Sequence, residues 1–230
     1  YKPGKSAEQS SSEHNLDEAI KLASNETSYG PLPSVLAAVS DGAGLLNRYP
    51  DHRGSEVRSV LAARLNVETS QVTLGCGSVG LLQQLFLAYI DPGDEVVYPW
   101  RSFEVPPLFS AISQAVALAI PLVDQAFDLD AVSRAITLKT KLVILSTPNN
   151  PTGTVCSTGN LKRFLESVPQ DVVVVIDEAY LEFVTASDVE DPVNAILPFY
   201  SNVVVFRTFS KAYGLANLRV GYAVGSVEII

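Results

Sequence analysis

The chain has 230 residues, 47% of them hydrophobic and 18% charged, with 16 Lys and Arg against 25 Asp and Glu for a net charge of −9. That length and composition support a packed core and exclude a disordered chain, and the acidic balance argues against nucleic acid as a partner. No apolar run approaches the roughly 20 residues that cross a bilayer, no secretory signal is visible, and Cys76 and Cys156 lack metal-ligand spacing, which predicts a cytoplasmic protein with no membrane partner and no metal.

Residues 1–20 are polar, with Ser10-Ser-Ser-Glu-His14 at their centre, and predict a flexible arm. After Leu22 the pattern becomes globular. Pro33 to Ser40 and Gly54 to Leu65 carry apolar residues at helical spacing, and in the second Val57, Leu61 and Leu65 share a face. From there strand and helix alternate. Gln71 to Leu74 reads as a strand, Gly75-Cys-Gly77 as a turn, and Ser78 to Ile90 as a helix capped by Ser78. Asp91-Pro-Gly-Asp94 is a turn before the strand Glu95 to Tyr98, and Phe103 to Ser113 can be helical with Pro106-Pro107 at its start. Val116 to Pro121, Lys141 to Ser146, Val172 to Ile176 and Val203 to Phe206 read as buried strands, with Asp130 to Ile136 and Thr158 to Val168 as the intervening helices.

Continuous Val, Ile and Leu in a strand means burial on both faces, the habit of parallel strands covered by helices. The expected fold is therefore α/β: a three-layer α/β/α arrangement around a mostly parallel sheet, with chemistry gathered at the carboxyl ends of the strands. The chain contains no Met and stops at Ile229-Ile230 in mid-pattern, so a fragment of a longer protein is expected.

Four segments at strand ends carry chemistry. Gly75-Cys-Gly77-Ser-Val-Gly80 fits a dinucleotide loop, a lone phosphate held by N–H groups at a helix start, or a plain glycine-rich turn. The dinucleotide option lacks its acid, because the next strand carries Asp94 and Glu95 at the wrong end. Pro148-Asn149-Asn150-Pro151-Thr-Gly153 is either a rigid loop presenting an amide or an ordinary Pro/Asn turn. Asp177, delivered by an apolar strand, needs a cation if buried: a protonated ring nitrogen of a cofactor, a metal, or a salt-bridge partner. Lys211, in Thr208-Phe-Ser210-Lys211, is either a desolvated Schiff-base lysine or a solvated surface one, and Thr208, Ser210 and Arg219 together suit a phosphate. A phosphate cradle, an amide, a buried acid and a reactive lysine form the inventory for pyridoxal 5'-phosphate.

The chain also resembles the fold-type I pyridoxal-phosphate aminotransferases, and within them the histidinol-phosphate/aromatic (phenylalanine) branch. The matching segments are Leu22-Ala-Ser-Asn25-Glu26, Asn47-Arg48-Tyr49-Pro50, Pro148-Asn-Asn150-Pro-Thr-Gly153, Asp177-Glu-Ala-Tyr180 and Thr208-Phe-Ser210-Lys211 with Arg219, in the family's order from Leu22 to Gly225. The resemblance implies that Lys211 binds the cofactor covalently and moves the substrate α-proton, and that Asp177 keeps the pyridinium nitrogen protonated. It implies that Asn150 and Tyr180 bond the ring's phenolic oxygen, and that Gly77, Ser78 and Val79 offer N–H groups to the phosphate with Thr208, Ser210 and Arg219. It further implies Phe103 over the cofactor ring, Asn25, Tyr29 and Asn150 at the substrate, and Tyr49 reaching the phosphate across a homodimer interface.

Two departures stand out. Val79 replaces an acid common in the family's phosphate turn, and Trp100-Arg101-Ser102-Phe103 resembles the aromatic sub-branch rather than histidinol-phosphate enzymes. The implied organisation is an arm over residues 1–30 and a large cofactor-binding domain over 31–230, with small-domain elements beginning at 31–65. The family's carboxyl-terminal small domain, with its substrate-carboxylate Arg, is expected beyond residue 230. The implied function is transfer of an aromatic amino acid's amino group to 2-oxoglutarate in a ping-pong cycle. The alternatives are a histidinol-phosphate aminotransferase, a decarboxylase or lyase using the same cofactor, a non-catalytic cofactor-binding module, and a dehydrogenase using the Gly75 loop.

Overall fold

A computed structural model describes residues 5–230; the first four residues of the expected arm lie outside the described residues. Helices α1 (Ala7–His14), α2 (Pro33–Ala43) and α3 (Ser55–Leu65) precede strand β1 (Val72–Gly75). Then follow α4 (Gly77–Tyr89), β2 (Glu95–Trp100), α5 (Val105–Ile112), β3 (Val116–Pro121), α6 (Leu129–Arg134) and β4 (Thr140–Ser146). The remainder is α7 (Thr158–Leu165), β5 (Val173–Asp177), α8 (Pro192–Ala195), β6 (Val203–Thr208) and β7 (Gly221–Gly225). The seven strands form one sheet in the order β1-β7-β6-β5-β4-β2-β3, parallel except at β7, which runs antiparallel to both neighbours.

Strand side chains point alternately to the two faces, so each apolar run feeds two cores. Val97, Val143, Leu145, Val174, Ile176, Val203 and Val205 pack on one face with Leu161, Phe164 and Leu165 of α7. Val96, Tyr98, Leu142, Ile144, Val173, Val175 and Phe206 pack on the other with Leu81, Leu82, Leu85 and Phe86 of α4. The result is the expected three-layer α/β/α sandwich around a mostly parallel sheet. The alternation also decides which way the residues at the strand ends point: Asp177 and Thr208 continue the α4 face, Glu178 and Arg207 the α7 face.

Four local expectations need correction. Helix α4 starts at Gly77, and its N-cap is Cys76 without a side-chain bond; Ser78 is inside the helix. Gly77, at φ +71°, and its tight neighbours set that start instead of a side-chain cap. On α3 the buried pair is Leu61 and Ala62, whereas Val57 is exposed, because α3 covers only the edge strand β1. β3 is not a buried strand: it is the opposite edge, with one neighbour, and Val116 is exposed. Within the arm, α1 is a capped helix, with Ser6 Oγ accepting from Gln9 N–H and Gln9 Oε1 accepting from Ser6 N–H, so local capping orders a stretch that buries nothing. Among the described residues no helix is long and apolar enough to cross a membrane.

Among the described glycines, the one most crowded by other backbone lies where β7 passes the start of α4. A Cβ on Gly221 would fall 2.7 Å from the Gly77 carbonyl carbon, 2.8 Å from Ser78 N and 2.9 Å from Arg207 O, all backbone atoms. Gly221→Ala should therefore lower stability by about 1–3 kcal/mol, the usual cost of overpacking, read as a fall in the urea midpoint. Gly159→Ala, with open space around it in α7, should instead gain about 0.5–1 kcal/mol. Equal midpoints for the two variants would contradict the close approach.

Candidate active site

Parallel pairing brings the ends of β4, β5 and β6 level. Ser146 pairs with Asp177, Asp177 with Phe206, and Thr208 with Gly221, which in turn faces Gly75 of β1. The segments that leave these strands converge on one edge of the sheet beside the N-terminus of α4.

Asp177 is buried, and its Oδ1 has no hydrogen-bond partner. Burial pushes its carboxyl up from 3.8 to about 6, with the Ala179 N–H and the Lys211 ammonium pulling the other way. Such an orphaned acid calls for a cationic hydrogen-bond donor. Lys211 is half-buried, and desolvation lowers its pKa, with Arg219 adding to that and Glu26 and Asp177 opposing it. Its Nζ donates to Ser24 O at 2.8 Å and sits 5.6 Å from the centre of the Tyr180 ring.

The Tyr180 hydroxyl accepts from Asn25 Nδ2 at 2.9 Å, and burial raises its pKa. Ser24 and Asn25 both adopt left-handed backbone, with φ +77° and +48°, so the chain turns sharply to deliver a carbonyl to Lys211 and an amide to Tyr180. Asn25, Asn150 and Tyr180 line a cleft of about 360 Å³ whose other walls include Pro148, Pro151, Val155, Phe183, Val184 and Ala186. Of the paired asparagines, Asn149 is the buried one, donating from Nδ2 to Arg101 O and Thr152 Oγ1, while Asn150 is half-buried at the cleft.

On the other side of Lys211, Thr208 Oγ1 donates to Ser210 Oγ at 2.9 Å and accepts from Ser210 N–H at 3.1 Å. Arg219, also left-handed at φ +54°, donates from Nη1 to Ser210 Oγ and Ala216 O and from Nη2 to Cys76 O. Its guanidinium lies against Gly77, where a Cβ would come within 2.6 Å of Nη2. The N–H groups of Gly77, Ser78 and Val79 belong to the first turn of α4 and have no partner within the helix. A hydroxyl pair, a guanidinium and a helix N-terminus at one spot suit an anion.

Not every expected residue is in this cluster. Phe103 is half-buried and packs against the core on the α4 side, Tyr29 is exposed and does not line the cleft, and Tyr49 is 101% exposed. The sequence reading missed two contacts. One is the tie from Ser24 and Asn25 to Lys211 and Tyr180, for which Leu22-Ala-Ser-Asn25-Glu26 was the available signal. The other is a buried ion network behind Asp177. There Arg207 Nε and Nη2 donate to Glu178 Oε2 at 2.9 and 2.8 Å, and Nη2 also donates to Asp191 Oδ1 at 2.6 Å. Among the described residues, no three His, Cys, Asp or Glu side chains gather to hold a metal ion.

Comparison with known proteins agrees with the fold. The family described as aminotransferase class I and II matches residues 17–230. The chain is 51% identical to an aromatic amino acid aminotransferase of Corynebacterium glutamicum over 94% of its own length and 63% of that protein's, and 50% identical to one of Mycobacteroides abscessus over 94% and 62%. It thus spans somewhat less than two thirds of the curated relatives it matches. Among solved structures, histidinol-phosphate aminotransferase from Sinorhizobium meliloti, in complex with pyridoxal-5'-phosphate, superposes with a TM-score of 0.91 at 29% identity, over 99% of this chain and 61% of that one. The sheet, the residues at its strand ends and a match over nearly the whole sequence lead to one conclusion: this chain belongs to the aminotransferase class I and II family.

Proposed function

We propose that the protein is a pyridoxal 5'-phosphate-dependent aminotransferase that moves the amino group of an aromatic amino acid to 2-oxoglutarate. The observation that carries this is a lysine of lowered pKa near a buried carboxylate one of whose oxygens, Oδ1, has no partner. Both stand next to a cluster of anion-binding groups. That set fits the cofactor's three handles: an aldehyde, a ring nitrogen and a phosphate. When bound, pyridoxal phosphate supplies an electron sink for the charge left at the substrate's α-carbon.

The chain's own residues would do the rest. Lys211 would hold the cofactor through Nζ and, when freed by substrate, would take the proton from the α-carbon and deliver it to the cofactor carbon at the other end of the C=N bond; desolvation favours the neutral amine this requires. Asp177 keeps the ring nitrogen protonated. Asn150 and Tyr180 bond the phenolic oxygen. Gly77, Ser78 and Val79, with Thr208, Ser210 and Arg219, hold the phosphate. Asn25, which lines the cleft, would contact the substrate; the family resemblance would add Phe103 over the ring and Tyr29 at the substrate, although Tyr29 does not line the cleft of this chain.

An aromatic substrate is favoured over histidinol phosphate because the relatives with half their residues identical bear that name and because no Lys or Arg lines the cleft. The working unit would be a homodimer in which Tyr49 reaches the partner's phosphate; its full exposure, with the exposed Leu45 and Leu46 just before it in the chain, supports a surface made to be covered. Two unpaired cysteines fit work in the reducing cytoplasm. Conversion of phenylalanine with 2-oxoglutarate, set against histidinol phosphate as donor, is the direct test.

Borohydride reduction of the cofactor-loaded protein should fix pyridoxal phosphate on the peptide carrying Lys211, and Lys211→Ala should lose the adduct. An adduct at Lys139 or Lys162 would remove the assignment.

Asp177 gives a pH signature without cofactor. Its folded pKa of about 6 lies above the ordinary 3.8, so the folded chain prefers the protonated acid, and the anion costs stability as pH rises through that interval. Asp177→Asn should match the parent near pH 4 and exceed it at pH 8, by up to about 3 kcal/mol for a two-unit shift. Adding pyridoxal phosphate should favour the parent again. A pH-independent difference between the two proteins would mean that Asp177 is not a buried anion.

For the shared site, Lys211→Ala and Tyr49→Phe proteins are each expected to be weakly active. Hybrids formed by dissociating and remixing them should carry one intact site and regain activity. Full activity of Tyr49→Phe alone would overturn the cross-subunit contact.

A further inference from the structure

We propose that Arg207, acting through Glu178, is a positioning residue that locks the ends of β5 and β6 together and thereby aims Asp177 and the Thr208–Ser210 turn at the cofactor. This rests on the pyridoxal phosphate assignment above. Asp177 has no side-chain partner to hold it, so its direction is set by the backbone at residues 177–179. That backbone is the last rung of the sheet: Asp177 faces Phe206, and Glu178 N–H donates to Phe206 O at 2.9 Å. Past it the ladder between the two strands ends, and the next link is ionic.

Glu178 and Arg207 are the residues next to Asp177 and Thr208, and they point to the opposite face of the sheet. Both are buried, and the guanidinium places two N–H groups on one Glu178 oxygen. Its Nη2 also reaches Asp191, whose Oδ1 accepts the Val193 N–H at the start of α8. One planar cation therefore ties β5, β6 and the chain before α8. A separation or rotation of the strand ends that mis-aimed Asp177 would have to break two charge-assisted N–H bonds to Glu178 Oε2 inside the protein.

A merely structural ion pair would affect stability alone, and the two roles can be separated. Replacing a buried pair by apolar side chains of similar volume is often neutral or stabilising. Asp191 is partly exposed and keeps its N–H partner, so it survives the loss of Arg207. The double variant Arg207→Met with Glu178→Leu should therefore keep the parent's urea midpoint. Its dissociation constant for pyridoxal 5'-phosphate should rise at least ten-fold, and the absorption band of the bound cofactor should shift in position or in its pH midpoint.

A variant with parental midpoint, dissociation constant and band overturns the proposal. Should the double variant not fold, Arg207→Lys decides the matter, since an ammonium keeps the charge without the planar fork. A rise in the dissociation constant at unchanged stability supports positioning, and parental binding with a parental band overturns it. The exposed-helix control Arg163→Met should bind as the parent does. If the parent itself takes up no pyridoxal phosphate and yields no borohydride-fixed adduct, the cofactor assignment fails and the proposal with it. That outcome differs from a parent that binds and a variant that binds equally well.

Discussion

A carboxylate held out of water without a cation is unstable on its own, and the end of β5 presents one. Asp177 can be there only because the Val-rich strand that delivers it is buried on both faces by helices and by its parallel neighbours. The same burial lowers the basicity of Lys211 one strand away. A single physical condition, exclusion of water from the carboxyl edge of the sheet, thus raises the acid, lowers the base and leaves both in want of a third group. The anion-binding corner at α4 lies on the same side, because the alternation that turns Asp177 toward α4 also turns Thr208 there.

The reverse face solves the opposite problem. Glu178 and Asp191 share one cation, Arg207, so each of these carboxylates has a partner within the protein. Two neighbouring residues at the end of β5, Asp177 and Glu178, therefore meet different fates: one has an oxygen without a partner and the other takes two N–H groups of one guanidinium. What separates them is only which side of the sheet each faces.

Much of this was legible from the chain because burial and chemistry leave different marks. Uninterrupted runs such as Val172 to Ile176 mark central strands, and polar residues directly after them mark the edge where chemistry collects. The sandwich and its strand-end segments could be read in that way. Apolar alternation cannot tell a central strand from an edge, which is why Val116 to Pro121 reads as buried in sequence although it lies at the sheet's edge. Nor does a serine before an apolar run make a cap when a glycine at positive φ has already turned the chain, as Gly77 does ahead of Ser78. The Ser6 and Gln9 pair was a readable capping box in a stretch whose polarity suggested no order. The ion network was not readable at all: Glu178, Asp191 and Arg207 meet only after β5 and β6 pair, and no spacing in the sequence encodes that pairing.

The place of β7 in the sheet has a consequence for how the protein is made. β1 touches no strand except β7, so the segment from Val72 to Gly75 can join the sheet only after residues about 150 positions later have left the ribosome. At a synthesis rate of about 5–20 residues per second, that leaves β1 and the start of α4 without their final partner for roughly ten to thirty seconds. The five remaining strands can pair with their neighbours as they emerge. Nascent chains would thus hold a nearly complete sheet with an open edge at β6 while the anion-binding corner is still unbuilt, and insertion of one short antiparallel strand would finish both together. The interval exposes apolar residues of β1 and α4, and Ser24 waits longer still, for Lys211 lies 187 positions further on.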